Sequence, residues 1–448
     1  MNIKNDLTEG NIGSKIISFT LPLLFGNFFQ QAYNVVDSIV VGRFIGKEAL
    51  AAVGANFPII FLMVALIMGI ALGISIIISQ YFGAKQKEKI RIAVDTAYIV
   101  LIISALSITV IGLIFGKYIL ILIKTPAEIF PSALIYLKII FIGMIFTFGY
   151  NGISALLRGI GDSRTPTLLL VVATIINIIL DLLFVIYFKM GIKGVAIATV
   201  ISQAFSFIMG IIIAINKNLP IAPRIKNISF SFDILVKSVQ LGIPTGVQQI
   251  LVSLGFMALT RIVNEFGTNA IAAFTAAGRI DTFASMPIMS FGMAITTFVA
   301  QNMGANRIDR VKEGVKKTFI YSASISVFLG FLIIIFSKYL LLIFTKDLEV
   351  QKIGQDYIKI VASFYLFFSI MFTFNGALRG AGDTLVPMFN TLISLWIMRV
   401  PLSYLLSRKF GTVGIWWGIP IAWFFGAILA YFYYRKGNWE KKKIVENT

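Results

Sequence analysis

The sequence contains neither cysteine nor histidine among its 448 residues. Disulfides, thiolate nucleophiles, imidazole acid–base catalysis and the usual zinc sites are therefore excluded. Charged residues make up only 13% of the chain, whereas a soluble domain carries roughly 25%. The phosphate-binding pattern G-x-x-x-x-G-K-[ST] does not occur, so direct coupling to ATP has no support. These absences argue against an enzyme, and we expect no cofactor.

Apolar residues, by contrast, make up 58% of the chain. Twelve apolar runs, each near the length of about 20 residues that spans a bilayer, follow one another between residues 16 and 434. The sequence therefore predicts an all-α integral membrane protein with twelve transmembrane helices. No small-residue cleavage site follows a short apolar core near the start, so we expect no cleaved signal peptide.

The formal net charge of +19 is concentrated in alternate loops and in the two tails. Examples are AKQKEKIR at 84–91 and the basic run that begins at Arg307. Positive charge gathers on the cytoplasmic side of membrane proteins, so the pattern predicts that both termini are cytoplasmic in a multi-pass protein of the cell membrane. Membrane topology accounts for the charge, and nucleic-acid binding is not expected.

The chain also repeats itself: ALLRGIGDSRTP at 155–166 returns as GALRGAGDTLVP at 376–387, an offset of 221 residues. Two further pairs of segments, 46–54 with 267–275 and 79–85 with 300–306, keep that offset. The duplication predicts two pseudo-symmetric six-helix lobes. We assign an N-lobe to 1–215, a cytoplasmic linker to 216–235, a C-lobe to 236–434 and a basic cytoplasmic tail to 435–448.

Polar residues form two stripes inside predicted spans of the first half. Asn27, Gln30, Asn34 and Asp37 share one face of the first helix, and the fifth helix carries Thr174, Asn177 and Asp181 at the same kind of spacing. A charged group is costly inside a bilayer, so these acids indicate function. Two adjacent carboxylates can share a proton, or they can coordinate Na⁺ together with amide and hydroxyl oxygens. The alternative is that one acid merely pairs with Arg or Lys at a helix interface.

The second half departs from this pattern. Pro22 and Pro244 occupy matching places and predict hinges in the first and seventh helices. The amides Gln248 and Gln249 replace the acidic stripe. The remaining charges within spans are Arg279, Asp281 and Arg399. Asp281 either contacts substrate or forms a structural ion pair, and for Arg399 the structural interpretation is favoured.

Several motifs together resemble the bacterial multidrug and toxic compound extrusion (MATE) family, and its DinF-like branch in particular. They are the entry segment from Thr8 to Gly54, the Q-x-x-G-A motifs at Gln80–Ala84 and Gln301–Ala305, and the duplicated LRGxGD. The resemblance implies two six-helix lobes around a central cavity that opens alternately to either side. By position it implies a coupling site for H⁺ or Na⁺ at Asp37, Asn177, Asp181 and Thr199.

The resulting hypothesis is a secondary active multidrug efflux antiporter that exports organic cations or amphiphilic drugs in exchange for H⁺ or Na⁺ by alternating access. We expect a monomer in contact with membrane lipids. The alternative within transporters is a flippase for a lipid-linked precursor, although only Arg279 and Arg399 supply the cavity cations that pyrophosphate would need. The residues predicted to line the substrate cavity are Asn27, Gln30, Asn34, Gln248, Gln249, Arg279, Asp281 and Arg399.

Overall fold

The computed structural model describes residues 6–224 and 226–445, with the side chain of Leu66 excepted. Within this part the regular structure is helical throughout. The helices of the first half are α1 (Ile12–Val40), α2 (Lys47–Gly83), α3 (Lys87–Leu122), α4 (Phe130–Ile142), α5 (Met144–Gly159), α6 (Arg164–Leu182) and α7 (Ile192–Asn216). Those of the second half are α8 (Phe232–Asn264), α9 (Gly267–Gly304), α10 (Ile308–Leu342), α11 (Leu348–Ala362), α12 (Tyr365–Ala381), α13 (Leu385–Thr391) and α14 (Val400–Arg435).

The described helices account for twelve membrane spans. Nine continuous helical segments are long and apolar enough to cross a bilayer, and two pairs bent by 49°, α4 with α5 and α11 with α12, add two more. The segment Leu385–Arg435 is 51 residues long, far beyond the roughly 20 residues that one crossing needs. Its helix is interrupted at Gly411, whose φ of 60° and ψ of −143° are not helical, so it forms two spans.

Three short π-helical turns interrupt the spans. They are Val41–Ile45 after α1, Leu183–Tyr187 after α6 and Leu392–Arg399 between α13 and α14. A π turn inserts an extra residue into the hydrogen-bond ladder and rotates the side chains that flank it, and such turns are frequent at functional sites. Two of them directly follow the helices that carry the predicted acids.

The duplicated LRGxGD segments form the same helix-ending turn in both halves. Gly161 and Gly382 adopt the left-handed conformation, with φ of 87° and 104°. The amide of the following residue then bonds back to the carbonyl of Leu157 or Leu378 at 2.9 Å, which satisfies the end of the helix. Only glycine takes this conformation without strain, which is the physical reason why a glycine occurs at this position in both halves.

The contacts divide the chain into two compact units that do not follow the duplication at every point. One unit is continuous from Phe25 to Ile243, and the other combines the residues up to Leu24 with those from Pro244 onward. The first turns of α1 therefore pack in the unit of the second half, where Ile16 and Phe19 share a buried cluster with Phe298. The predicted lobes 1–215 and 236–434 follow the repeat. The units differ from these lobes because the first turns of α1 belong to the unit of the second half, and the first turns of α8 belong to the unit of the first half.

The first turns of α8 pack in the unit of the first half. Gly242 lies against the backbone of Gly69, so closely that no side chain fits between the two helices. The segment that precedes α8 is fixed as well: the amide of Ser229 donates to Asp95 and that of Ser231 donates to Thr96, both at 3.1 Å. This part of the predicted linker 216–235 is therefore hydrogen-bonded to α3.

Part of the predicted tail 435–448 is folded back on its own unit. Trp439 is fully buried, stacks on Tyr434 with ring centroids 5.0 Å apart, and donates its indole N–H to the carbonyl of Tyr434 at 2.8 Å. Asp383, in the duplicated segment, accepts a 2.7 Å hydrogen bond from Tyr433 at the end of α14. Beyond Trp439 the lysines at 441 and 442 remain exposed.

Candidate ion and substrate site

Asp37 and Asp181 each lie just before a π-helical turn, near the ends of α1 and α6. Asp181 is fully buried, and Asp37 is partly buried. Their carboxyl groups lie within electrostatic range of each other. The structure thus brings together the two acids that the stripes in the sequence singled out, and both belong to the same compact unit.

The oxygen atoms of this acid pair have unused hydrogen-bonding capacity. Oδ1 of Asp37 and both carboxylate oxygens of Asp181 are buried without a hydrogen-bond partner among the described residues. Both polar atoms of the Asn177 side chain, one helical turn before Asp181, are in the same condition. An unsatisfied buried polar atom costs free energy. A proton or a cation coordinated by oxygen would remove this cost.

Two tyrosines complete the surroundings of the acid pair. The hydroxyl of Tyr33 in α1 is hydrogen-bonded to that of Thr199 in α7, with 3.2 Å between the oxygens. Tyr136 in α4 is buried and, like Tyr33, lies within electrostatic range of both Asp37 and Asp181. The predicted coupling residue Thr199 therefore reaches the site through Tyr33.

The sequence prediction missed both tyrosines. Tyr33 carried a signal, because it stands four residues before Asp37 and so shares its helix face. No feature of the sequence indicated Tyr136, since a tyrosine in an apolar run is common in membrane helices. Its place at the site follows from the packing of α4 against α2 and α7.

The donor set suits a proton or a hard monovalent cation. Carboxylate, amide and hydroxyl oxygens are the ligands that hard cations take, and the site offers all three. No group of three or more acidic residues that could hold a metal ion occurs in the described part of the chain. Two carboxylates give the site a charge that one or two monovalent cations would neutralise.

The other predicted cavity residues of α1 continue the polar face. Asn34 is exposed and donates to Gln31 at 3.3 Å, while Asn27 and Gln30 are partly buried. Pro22 lies inside α1, two residues before the point where the compact unit changes. Pro244 lies at the corresponding point of α8 and is the first residue of its unit there.

Gln248 belongs to a polar chain in the second half. Its Nε2 donates to Oγ1 of Thr391 at 2.7 Å, and its Oε1 accepts a longer, 3.5 Å hydrogen bond from Nη1 of Arg379. Gln249, the next residue of α8, is partly buried. The duplicated arginine Arg379 therefore contacts a residue that the sequence assigned to the cavity.

Asp281 is partly buried and forms an acidic centre within the unit of the second half. It accepts hydrogen bonds from the hydroxyls of Tyr365 at 2.7 Å and Tyr357 at 3.3 Å. Arg399 lies within electrostatic range of Asp281, and its Nε is buried without an acceptor among the described residues. No ion pair within 4 Å joins Asp281 and Arg399 in the described part of the chain, so the choice between a substrate contact and a structural role stays a prediction. Arg279 is exposed. It lies on a different face of α9 from Asp281, because residues two apart on a helix do not share a face.

A duplicated polytopic helical fold with an acid pair inside its spans is typical of membrane transporters. The comparison with known families agrees, since the MatE family model matches residues 22–183 and again residues 244–405. The chain therefore belongs to the MatE family. Both matches begin at the predicted hinge prolines. Members of this family are transporters and not enzymes, and they need no prosthetic cofactor.

Similar proteins cover nearly the whole chain. It is 34% identical over 442 residues to the "Probable multidrug resistance protein YpnP" of Bacillus subtilis (strain 168), covering 98% of both chains. It is 23% identical over 444 residues to the "FAD transporter" of Shewanella oneidensis, covering 96% of both. The "Crystal structure of MATE in complex with MaL6" matches with a TM-score of 0.92 at 24% identity, covering 98% of this chain and all of that one. The predicted MATE-like fold is thereby confirmed.

Proposed function

We propose that the protein is a multidrug efflux antiporter of the cell membrane that exchanges organic cations or amphiphilic drugs for H⁺ or Na⁺. The observation that carries the proposal is the acid pair Asp37 and Asp181, three of whose four carboxylate oxygens are buried without a hydrogen-bond partner in the described structure. The coupling cation binds between these carboxylates, assisted by Asn177, and Tyr33 and Thr199 border the site. Relatives named as multidrug resistance proteins support the substrate class.

Neutralisation of the acid pair is the chemical event of the proposed cycle. With both carboxylates charged and adjacent, each repels the other, and a bound cation relieves this repulsion. An organic cation stabilises the charged pair in the same way, so the drug and the coupling cation compete for the same negative charge. This competition links drug release to cation entry, which is the requirement for exchange.

Helix α1 is the element that transmits the change. Residues 25 to 40, which carry Asp37, belong to one compact unit, and the preceding turns of the same helix belong to the other. Pro22 lacks an amide hydrogen for the helical ladder, so bending is least costly near this residue. We propose that cation binding at Asp37 changes the bend of α1 there and so drives alternating access.

The driving force depends on the charges exchanged. One charge moving down ~100 mV gains about 2.3 kcal/mol, and a tenfold concentration gradient adds ~1.4 kcal/mol. Exchange of a monovalent drug cation for one coupling cation cancels the voltage contribution and leaves the concentration gradient. Two coupling cations, or a substrate with no net charge, restore it.

We further propose that both termini are cytoplasmic, as the distribution of Lys and Arg indicates. The protein acts as a monomer in contact with lipids, and the predicted cavity residues of α1 and α8 contact the drug. A lipid-linked precursor flippase remains the second candidate. Its support is limited, because Arg279 is exposed and Arg399 lies near Asp281.

Transport in proteoliposomes tests the proposal. Export of a dye cation is measured under an imposed pH gradient or an imposed Na⁺ gradient, for the native protein and for Asp37→Asn and Asp181→Asn. The matched control is Asp233→Asn, which makes the same change at an acid whose side chain is 66% exposed and pairs with Lys237. One gradient should drive export, and both site variants should abolish it while the control transports normally. Transport that survives both substitutions would contradict the site, and a failure to move any cation would favour the flippase.

A further inference from the structure

A row of buried hydroxyls lies along the contact between α10 and α12, inside the unit of the second half. On each helix its members are four residues apart and so share one face. The hydroxyl oxygens of one pair lie 3.0 Å apart and form a hydrogen bond across the contact. We call this set the hydroxyl seam, and its fully buried members are Thr318, Ser322 and Ser326 of α10 with Ser369 and Thr373 of α12.

The two helices run antiparallel, and their contacts fix which residues lie at the same level. A Cβ at Gly330 of α10 would meet the carbonyl oxygen of Ala362 at the end of α11, next to the start of α12. The hydrogen-bonded serines lie eight residues earlier on α10 and seven residues later in the chain past Ala362. One further turn along each helix brings Thr318 to the level of Thr373.

The hydroxyls of Thr318 and Thr373 are unpaired. Both oxygens are buried without a hydrogen-bond partner among residues 6–224 and 226–445. A threonine in a helix commonly donates to the carbonyl four residues earlier, as Thr260 and Thr275 do at 2.9 and 2.8 Å. An unsatisfied buried hydroxyl costs about 1 to 3 kcal/mol. A water molecule that bonds both threonines would remove this cost, since internal water binds where buried polar atoms lack partners.

Packing alone does not explain the seam, because the first half builds the same contact without hydroxyls. There α3 packs against α5, and the positions 221 residues before the seam are apolar or glycine. The space beside Gly152 is filled by the side chain of Leu101. The duplicated fold therefore does not need hydroxyls at this contact. The corresponding residues, all buried, are Ala97, Leu101, Ala105, Phe148 and Gly152.

One end of the seam lies at the level of Asp281. Tyr365, four residues before the first seam residue of α12, donates its hydroxyl to Asp281 at 2.7 Å. The other groups that face this carboxylate are the hydroxyl of Tyr357 and, within electrostatic range, Arg399. From Tyr365 to Thr373 the helix advances about 12 Å at 1.5 Å per residue. The seam thus extends from the acid toward the beginning of α10.

We propose that the hydroxyl seam binds a file of internal water molecules and that this file carries protons between Asp281 and the beginning of α10. A hydroxyl or a water accepts one hydrogen bond while it donates another, so each member passes on one proton for every proton it receives. At the end of the file the ionised carboxylate of Asp281 takes up one proton and becomes neutral, and release reverses this step. This inference concerns the second half alone and does not depend on what the acid pair of the first half binds.

The first test detects the water. Purified full-length protein in lipid nanodiscs is exposed to brief X-ray pulses in isotopically labelled water, and mass spectrometry locates the oxygen added to side chains. The reporters are Phe319 and Phe374, which adjoin the two threonines and have ring centroids 6.3 Å apart. We expect both rings to be labelled in the native protein. Labelling should fall at least about fivefold in the double variant Thr318→Val with Thr373→Val, because a water without polar partners is not retained.

The second test follows the proton. Infrared difference spectra of the same samples report the C=O stretch of the protonated Asp281 carboxyl, which is the band that Asp281→Asn removes and Asp281→Glu shifts. Transfer into heavy water then gives the rate at which this carboxyl exchanges its hydrogen. We expect exchange to slow at least about tenfold in the double valine variant, because a dry contact exchanges only through local opening.

Two control variants separate the hydroxyls from the packing. Thr318→Ser with Thr373→Ser keeps both hydroxyls and should keep the native labelling and exchange. Thr260→Val with Thr275→Val makes the same chemical change at hydroxyls that bond to their own helix, and it should also leave both unchanged. Valine has the shape of threonine, so the seam variant should unfold no earlier than this control; if it does not fold, Thr373→Val alone serves in its place.

Several results would overturn the inference. Absence of label on both rings in the native protein would show that the seam is dry. Absence of an Asp281 band at every pH would show that this acid takes up no proton. Native exchange in a folded valine variant, or equal slowing in the serine variant, would show that the hydroxyls do not carry the proton.

Discussion

The hydroxyl oxygens of Tyr33 and Thr199 lie 3.2 Å apart and join α1 to α7 beside the acid pair. This hydrogen bond links the helix that carries Asp37 to the helix that follows Asp181 in the chain. It fixes the side of α1 that faces Asp181. Tyr33 lies one helical turn before Asp37, so this hydrogen bond restrains α1 close to the acid pair.

Tyr33→Phe should weaken coupling without abolishing it. The substitution removes the hydrogen bond to Thr199 and leaves the ring, so the coupling cation should bind about two- to tenfold more weakly. The measurement is the concentration of H⁺ or Na⁺ that gives half-maximal exchange in proteoliposomes. Tyr98→Phe, which removes a 3.0 Å hydrogen bond to the carbonyl of Ile221 in the linker segment, is the matched control. A larger effect in the control than in Tyr33→Phe would contradict this role.

Asp281→Asn should destabilise the second half. The substitution weakens the hydrogen bonds from Tyr357 and Tyr365 and removes a negative charge within electrostatic range of Arg399, which costs about 1 to 3 kcal/mol. Thermal unfolding of the purified protein should therefore occur at a lower temperature than in the native protein. The double variant Asp281→Asn with Arg399→Met should be more stable than Asp281→Asn alone, because it removes the orphaned charge. If the double variant is the less stable of the two, Arg399 is not compensated by Asp281.

Arg310→Ala should release the segment that precedes α1. The Arg310 guanidinium donates to the carbonyls of Gly10 at 3.1 Å and Leu7 at 3.3 Å, and its Nε donates to Asn302. Without these bonds the amides before α1 should exchange hydrogen at least tenfold faster, a change visible by mass spectrometry. Lys312→Ala, which breaks an exposed ion pair with Glu440, is the control and should leave that exchange unchanged. If these amides exchange at the native rate in Arg310→Ala, the hydrogen bonds of Arg310 do not hold the segment that precedes α1.

Gly380→Ala tests the closest packing of the repeat. A Cβ at this position would meet the carbonyl oxygen of Thr296 and the side chain of Val299, so we expect a loss of about 1 to 3 kcal/mol. Gly278→Ala is the matched control, because a Cβ there meets nothing within 4 Å and the position is helical. That substitution should stabilise the protein by roughly 0.5 kcal/mol. Equal unfolding temperatures for the two variants would refute the packing argument.

Much of the fold follows from the sequence alone. The apolar runs predict the spans, and the offset of 221 residues predicts the duplication that the two family matches confirm. The turn glycines Gly161 and Gly382 lie in the duplicated segment and have the positive φ that the turn requires. These features are local, so short stretches of sequence are enough to specify them.

Features that depend on packing were not predicted. The 49° bends fall at Gly143 and after Ala362, where a single glycine or serine in a long apolar run is too weak a signal to predict a bend. The exchange of the first turns of α1 and α8 between the units depends on contacts such as that between Gly242 and Gly69, which are distant in sequence. At the site, spacing identified the acids, but only the fold brings Tyr136 to them.

The central claim is that the Asp37 and Asp181 pair holds either the coupling cation or a drug cation. Its most direct test is cation release from purified protein in lipid nanodiscs when a dye cation is added, followed with a pH indicator in weak buffer and with isotopic Na⁺. The account predicts that dye binding releases H⁺ or Na⁺ from the native protein and that release disappears in Asp181→Asn. Dye binding without release of either cation, or release that persists in both Asp37→Asn and Asp181→Asn, would contradict it.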